Sequence, residues 1–196
     1  MIIAAIDIGA GLGTKIAIAD LLDFHTTTLD ERLINLADYG NSPDQFVQNL
    51  LNALEKMMAS SGIRMSQLCS IGISIPGFAD ENQNIISCNN LGLLDGSDIG
   101  TPLSNTCNAN VSIINDGDCG GLAQWDIQQS ELLYWAFGGG WGGSWISADG
   151  CVKFPNLNWN GQDKNIHVTN EPGYVSKIAK IRLEKIFKKH PSAWNR

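Results

Sequence analysis

The chain has 196 residues, 43% hydrophobic and 17% charged, which is enough apolar material for one good core or two small lobes and too much for a disordered chain. Its net charge of −7 is uneven: residues 1–174 hold 19 acids and 6 bases, residues 175–196 hold 1 acid and 7 bases. The acidic body argues against nucleic-acid binding, and no apolar run approaches the length that spans a bilayer.

The opening run, Met1 to Gly11, is apolar but lacks a basic leader and breaks at Asp7. It reads as a buried first strand, Ile2–Ile8, and not as a signal peptide. Gly9, Gly11 and Gly13 form a turn into a second apolar run, Thr14 to Ala19, so the two make a β-hairpin. A third strand is expected within Arg32–Tyr39. Ser42 is then a natural N-cap and Pro43 a natural first helical residue. Phe46, Val47, Leu50, Leu51, Leu54, Met57 and Met58 recur at helical spacing until Gly62.

Further on, Ser70–Ile75 predicts a buried strand that ends at Pro76-Gly77, and Ile85–Cys88 a weaker one. Asp98 to Thr106 predicts a short helix broken early by Pro102. Val111–Ile114 predicts a strand that stops at Asn115-Asp116, followed by a helix from Cys119 to Gln128. This order gives antiparallel strands first and parallel crossovers later. It specifies an α/β fold: a ribonuclease-H-like mixed sheet with helices on both faces.

From Leu132 the pattern restarts with a strand to Phe137, a glycine run, and a strand Ser144–Ala148. The expected domains are therefore 1–130 and 131–196. A comparable second lobe needs roughly 100 residues or more, so the second lobe is expected to be incomplete. Its last element is a basic helix, about Val175–Lys189, whose charge reads as a solvated face lying near the acidic body. Five cysteines without a CxxC pair fit reduced thiols in the cytoplasm, and three distant histidines offer no Cys/His metal site.

Three segments carry chemistry. In Asp7-Ile8-Gly9-Ala10-Gly11-Leu12-Gly13-Thr14-Lys15, a carboxylate at a strand end can hold a water on Mg²⁺, and glycines let backbone amides approach phosphate oxygens. The same pattern also suits a plain hairpin. In Phe137-Gly138-Gly139-Gly140-Trp141-Gly142-Gly143-Ser144 the glycines exceed what a hairpin tip needs, which favours phosphate contact. In Ile113-Ile114-Asn115-Asp116-Gly117-Asp118, Asp116 is either a helix cap or a general base for an alcohol.

In this order the segments resemble the ROK (repressor, ORF, kinase) group of sugar kinases and transcriptional regulators, within the actin/hexokinase superfamily. DIGAGLGTK resembles the first phosphate motif of that group, and FGGGWGGSW the second, LGTGIGGGI. IGISIPGFAD followed by NNLGLLDG and PL resembles the GxxxPG, NLxxW and PL stretch. INDGDCGGLAQ resembles ENDANAAALAE. The resemblance covers about residues 1–150.

It implies a sugar kinase that uses Mg-ATP and a hexose or amino sugar. Asp116 would be the base on the sugar hydroxyl and Asp7 would hold Mg²⁺ through water. Gly9, Gly11, Gly13, Thr14 and Lys15 would hold ATP phosphates from one lobe, and Gly138, Gly139, Gly140, Gly142 and Gly143 from the other. Asn90, Asn115, Asp116 and Glu171 would contact sugar.

Several positions depart from the family pattern. Lys15 lies one position further from Asp7, Gly139 replaces a threonine, and the tryptophan of NLxxW is missing. Glu171-Pro172-Gly173-Tyr174 stands where ExGH is expected, with Tyr174 for the histidine; it reads equally well as a plain loop. The family's cysteine-rich zinc segment has no counterpart. The resemblance thus leaves an inactive sugar-binding or partner-binding remnant as the alternative to a kinase. The start directly at the first strand argues against a DNA-binding repressor. A lobe face normally covered by the absent half would favour self-association.

Overall fold

The computed structural model describes residues 1–153 apart from Ala10, Leu12, Asp23, Phe24, Glu81, Asn89, Asn90 and Gly138–Gly140. The basic helix expected near Val175–Lys189 lies outside the described residues. The chain divides into two compact units, Met1–Asp116 and Gly117–Arg196.

The first unit is built on a five-stranded sheet in the order β3-β2-β1-β4-β7. β1 (Ile2–Ile8) pairs antiparallel with β2 (Thr14–Leu22), and β2 antiparallel with β3 (His25–Ile34). β4 (Leu68–Ile75) lies parallel to β1 on one side and to β7 (Asn110–Asn115) on the other. A small ladder of β5 (Phe78–Ala79) and β6 (Ile85–Ser87) leaves the end of β4. The mixed sheet expected from the element order is the one observed.

Alternation along the strands decides which face is covered. Ala4, Ile6 and Ile8 of β1 are buried while Ala5 and Asp7 are exposed, because successive side chains point to opposite faces. Ile16, Ile18, Ile71, Ile73, Ile75 and Ile113 join the buried side. Helix α1 (Pro43–Ser60) packs on it with Phe46, Val47, Leu50, Leu54, Met57 and Met58. Each such aliphatic or aromatic side chain contributes about 1.5–3 kcal/mol on burial. The capping prediction holds: the Ser42 side chain accepts the Gln45 amide at 3.2 Å, and Pro43 is the first helical residue.

Two expectations are corrected. The third strand is His25–Ile34 and not within Arg32–Tyr39, where Leu36–Asp38 instead makes a 3-10 turn. Its partner explains the end: β2 begins at Thr14, which pairs with Ile34, so no backbone remains for a longer ladder. Its start is hard to read because the segment is a largely polar edge strand. Helix α2 (Gly100–Cys107) runs through Pro102 without a break. Pro102 is its third residue, and a first-turn amide has no intrahelical acceptor to lose.

The second unit contains helix α3 (Asp116–Gln128), which starts at the end of β7 and earlier than Cys119, and the antiparallel strands β8 (Leu132–Phe137), β9 (Trp141–Ile146) and β10 (Val152–Lys153). A Cβ on Gly121 would stand 2.8 Å from the Ser144 Cβ, so the helix backbone rests directly on β9. That packing draws α3 into the second unit, and the division falls after Asp116 where sequence pattern alone sets it near residue 130.

Gly13 closes the β1–β2 turn at φ +122°, and a Cβ there would lie 2.1 Å from the Ile34 carbonyl oxygen. Both the left-handed backbone and the contact with main chain oppose any side chain. Gly13→Ala is expected to lower stability by at least about 2 kcal/mol, read as a lower urea midpoint at unchanged slope.

Candidate functional site

Parallel pairing brings the C-terminal ends of β1, β4 and β7 to one edge of the sheet. Asp7 is paired with Ser74, and Ile75 with Asn115; Asp116 follows directly as the first residue of α3. Two carboxylates thus stand at the ends of strands separated only by β4. In open α/β sheets such an edge is where ligands bind.

Asp7 is held by both neighbouring strands. The Ser74 hydroxyl donates to its Oδ1 at 2.7 Å. Lys15, opposite Asp7 in the hairpin register, brings Nζ to 3.6 Å from Oδ2. The carboxylate is about half exposed, at 51%, so the ion pair itself adds little stability. Its effect is on orientation. The donor set suits magnesium: that ion keeps most of its water, taking one or two protein carboxylates together with substrate phosphates. Among the described residues no group of three or more His, Cys, Asp or Glu is placed to hold a metal.

The turn after Asp7 is fastened from below. Tyr39, buried after the 3-10 turn, donates its hydroxyl to the Gly9 carbonyl at 2.9 Å. The Tyr39 hydroxyl oxygen also lies 2.7 Å from Thr14 Oγ1. Burial raises the phenol's pKa, and the negative charge of Asp7 adds to that; the hydroxyl of Thr14 works the other way. Thr14 is fully buried, so its hydroxyl is engaged inside the hairpin, while Gly11 and Lys15 are exposed at the surface.

At the other strand end, Asn115 is buried and donates Nδ2 to the Gly77 carbonyl at 3.1 Å. Its amide therefore ties β7 to the turn that leaves β4. Asp116 is exposed and stands at a helix N-terminus, where the aligned peptide dipoles favour a negative charge. Cys88, just after β6, feels that charge. Burial above all, then the carboxylates of Asp95 and Asp116, pushes its thiol up to about 12. Asp95 also accepts the Cys88 amide at 2.6 Å.

The other residues assigned from sequence divide into two sets. Gly142 and Gly143 lie within β9, opposite Ala136 and Trp135, and so belong to a strand and not to the turn. Asn90, Gly138, Gly139, Gly140 and Glu171 lie outside the described residues. Sequence reasoning missed Ser74 and Tyr39. Ser74 looked like one polar residue in a buried strand, and only the register with β1 sets it beside Asp7. Tyr39 looked like the end of a strand.

Residues 3–153 match the family model of the ROK family. The comparison with curated proteins returns no match. Among solved structures the fold is similar to that of a ROK hexokinase from Thermus thermophilus, with 23% identity over 82% of this chain and 51% of that one and a TM-score of 0.62. It is also similar to an inorganic polyphosphate/ATP-glucomannokinase from Arthrobacter sp. strain KM, with 22% identity, 92% and 70% coverage and a TM-score of 0.64. A ROK family transcriptional regulator, a homologue of the E. coli MLC protein, matches at 18% identity, 87% and 44% coverage and a TM-score of 0.63. The chain spans about half the length of the hexokinase and of the regulator. The likeness to these structures is one of fold. Among the described residues no helix is long and apolar enough to cross a membrane.

The thiols offer a direct check on the burial and charge around Asp116. Cys69, Cys119 and Cys151 are exposed, whereas Cys88 and Cys107 are buried. In native protein at mild pH, iodoacetamide should label the first three and spare the other two, as read by peptide mass spectrometry. Because the Cys88 pKa is raised above its ordinary 9.0, the stability it contributes is complete below pH 9.0 and is lost as pH climbs towards about 12. Cys88→Ala should flatten that alkaline loss in pH-dependent urea unfolding.

Proposed function

This chain belongs to the ROK family, and on that footing we propose that it is built for phosphoryl transfer from Mg-ATP to a hydroxyl of a hexose or amino sugar. The observation that carries the reading is the shared sheet edge, with Asp7 braced by Ser74 and Lys15 at one strand end and Asn115-Asp116 at another.

In this reading Asp116 accepts the proton of the sugar hydroxyl and aims its oxygen at the phosphorus. Phosphoryl transfer depends mostly on such positioning and on charge stabilisation. Asn115 holds the strand end and Asn90 contributes to the sugar contacts. Amides of the Gly9–Gly13 turn and the ammonium of Lys15 receive phosphate oxygens. Magnesium, when bound, supplies positive charge that offsets the charge on the transferring group, and Asp7 is the residue to hold it through water. Cytoplasmic location belongs to the same reading, since ATP and reduced thiols coexist there.

A second reading has its own support. A ROK family transcriptional regulator has a similar fold, and a sugar-binding protein that performs no transfer can be built on the same architecture. Calorimetry with a panel of hexoses, with and without Mg-ATP, alongside an ADP-release assay, separates the two. For the kinase, ADP release depends on sugar and falls by about 100-fold or more in Asp116→Asn. For the binding protein, hexose binds with no ADP release, and the affinity survives that substitution.

A further inference from the structure

We propose that Tyr39 is a positioning residue that staples the neck of the Gly9–Gly13 turn and so presets it to receive polyphosphate; the proposal rests on the nucleotide reading of that turn. The register of the hairpin ends at Ile8 opposite Thr14, which leaves five residues, three of them glycine, to make the turn. Glycine backbone has more conformational freedom to lose than any other residue's when a ligand orders it. Tyr39 contacts both sides of the neck at once, with the Gly9 carbonyl at 2.9 Å and the Thr14 hydroxyl at 2.7 Å.

The proton inventory orients the pair. A phenol has one proton, and Tyr39 gives it to the Gly9 carbonyl, so the Thr14 hydroxyl must donate to the phenol oxygen. Two consequences follow for an anionic ligand. The Gly9 carbonyl, an acceptor that would repel phosphate, is turned towards Tyr39. The Thr14 hydroxyl is likewise occupied, leaving backbone amides and Lys15 as the groups for phosphate.

The staple is itself anchored. The Tyr39 ring packs on Phe46 with centroids 4.8 Å apart, and Phe46 is fully buried near the start of α1. Asn49 of α1 donates Nδ2 to the Asp38 carbonyl at 2.6 Å, fixing the residue before Tyr39 to the same helix. Helix α1 therefore sets the turn through one hydroxyl. Ordering a loop before a ligand arrives raises affinity by reducing what binding must order.

The test uses the full chain with Tyr39→Phe, which keeps the ring on Phe46 and removes only the hydroxyl, and Thr14→Val, which removes one of the two bonds. Hydrogen exchange of the 9–14 backbone amides should accelerate by about tenfold or more in Tyr39→Phe and by less in Thr14→Val, with β1 and β4 unchanged. Affinity for inorganic tripolyphosphate and for ATP, by calorimetry, should fall by about five- to twentyfold in Tyr39→Phe, while hexose affinity stays within about twofold. Unchanged exchange in Tyr39→Phe overturns the staple. Tripolyphosphate binding by the unsubstituted chain that Tyr39→Phe matches overturns the positioning role alone, whereas no tripolyphosphate binding by the unsubstituted chain overturns the nucleotide reading of the turn and the role built on it.

Discussion

Everything at the candidate site depends on β4 lying parallel between β1 and β7. Parallel neighbours end on the same side of a sheet, so residues far apart in sequence arrive at one edge. Asp7, Ser74 and Asn115 come from three separate stretches, and the ladder sets them side by side. A shift of one residue would send Asp7 to the face occupied by Ile6 and Ile8, because strand side chains alternate. The packing of α1 and α2 against that isoleucine-rich face makes such a slip costly. The hydrophobic face thereby fixes the direction of a polar group it never touches.

Around that edge, hydrogen bonds donated by uncharged side chains do most of the positioning. Ser74 steers one oxygen of Asp7, Asn115 ties β7 to the Gly77 carbonyl, and Tyr39 fastens the hairpin turn. The charges remain closer to solvent: Asp7 and Lys15 are both half exposed or more, and Asp116 is exposed. This division suits a site for anionic and hydroxyl-rich ligands. Tyr39, Thr14 and Asn115 are engaged within the fold, and outward charges can exchange water for ligand at small cost. Cys88 marks the boundary between the two regions, its thiol kept neutral by burial and by nearby carboxylates.

Fold kinship and activity are separate matters. Residues 3–153 carry the ROK pattern, and kinases and a regulator share the architecture at low identity. An architecture common to both does not select an activity; the side chains at the sheet edge have to. The division of the chain after Asp116 has a local cause in the glycine of α3 that lets its backbone lie on β9. A helix that reads as the end of one pattern thus packs as the start of the next.

Periodicity and punctuation in the sequence were sufficient for the class of fold, the α1 helix with its Ser42 cap, the buried strands, and the strand-end placement of Asp7 and Asp116. These are local matters: apolar spacing, a capping hydroxyl and a glycine turn act within a few residues. The polar edge strand β3 was poorly legible because its ladder is dictated by β2 and not by its own composition. The passage of α2 through Pro102 depended on where the helix begins. Ser74 and Tyr39 carry no local signal at all, since their roles consist of contacts 67 and 30 residues away in sequence. Only the tertiary structure, which converts sequence separation into a single hydrogen-bond distance, decided those.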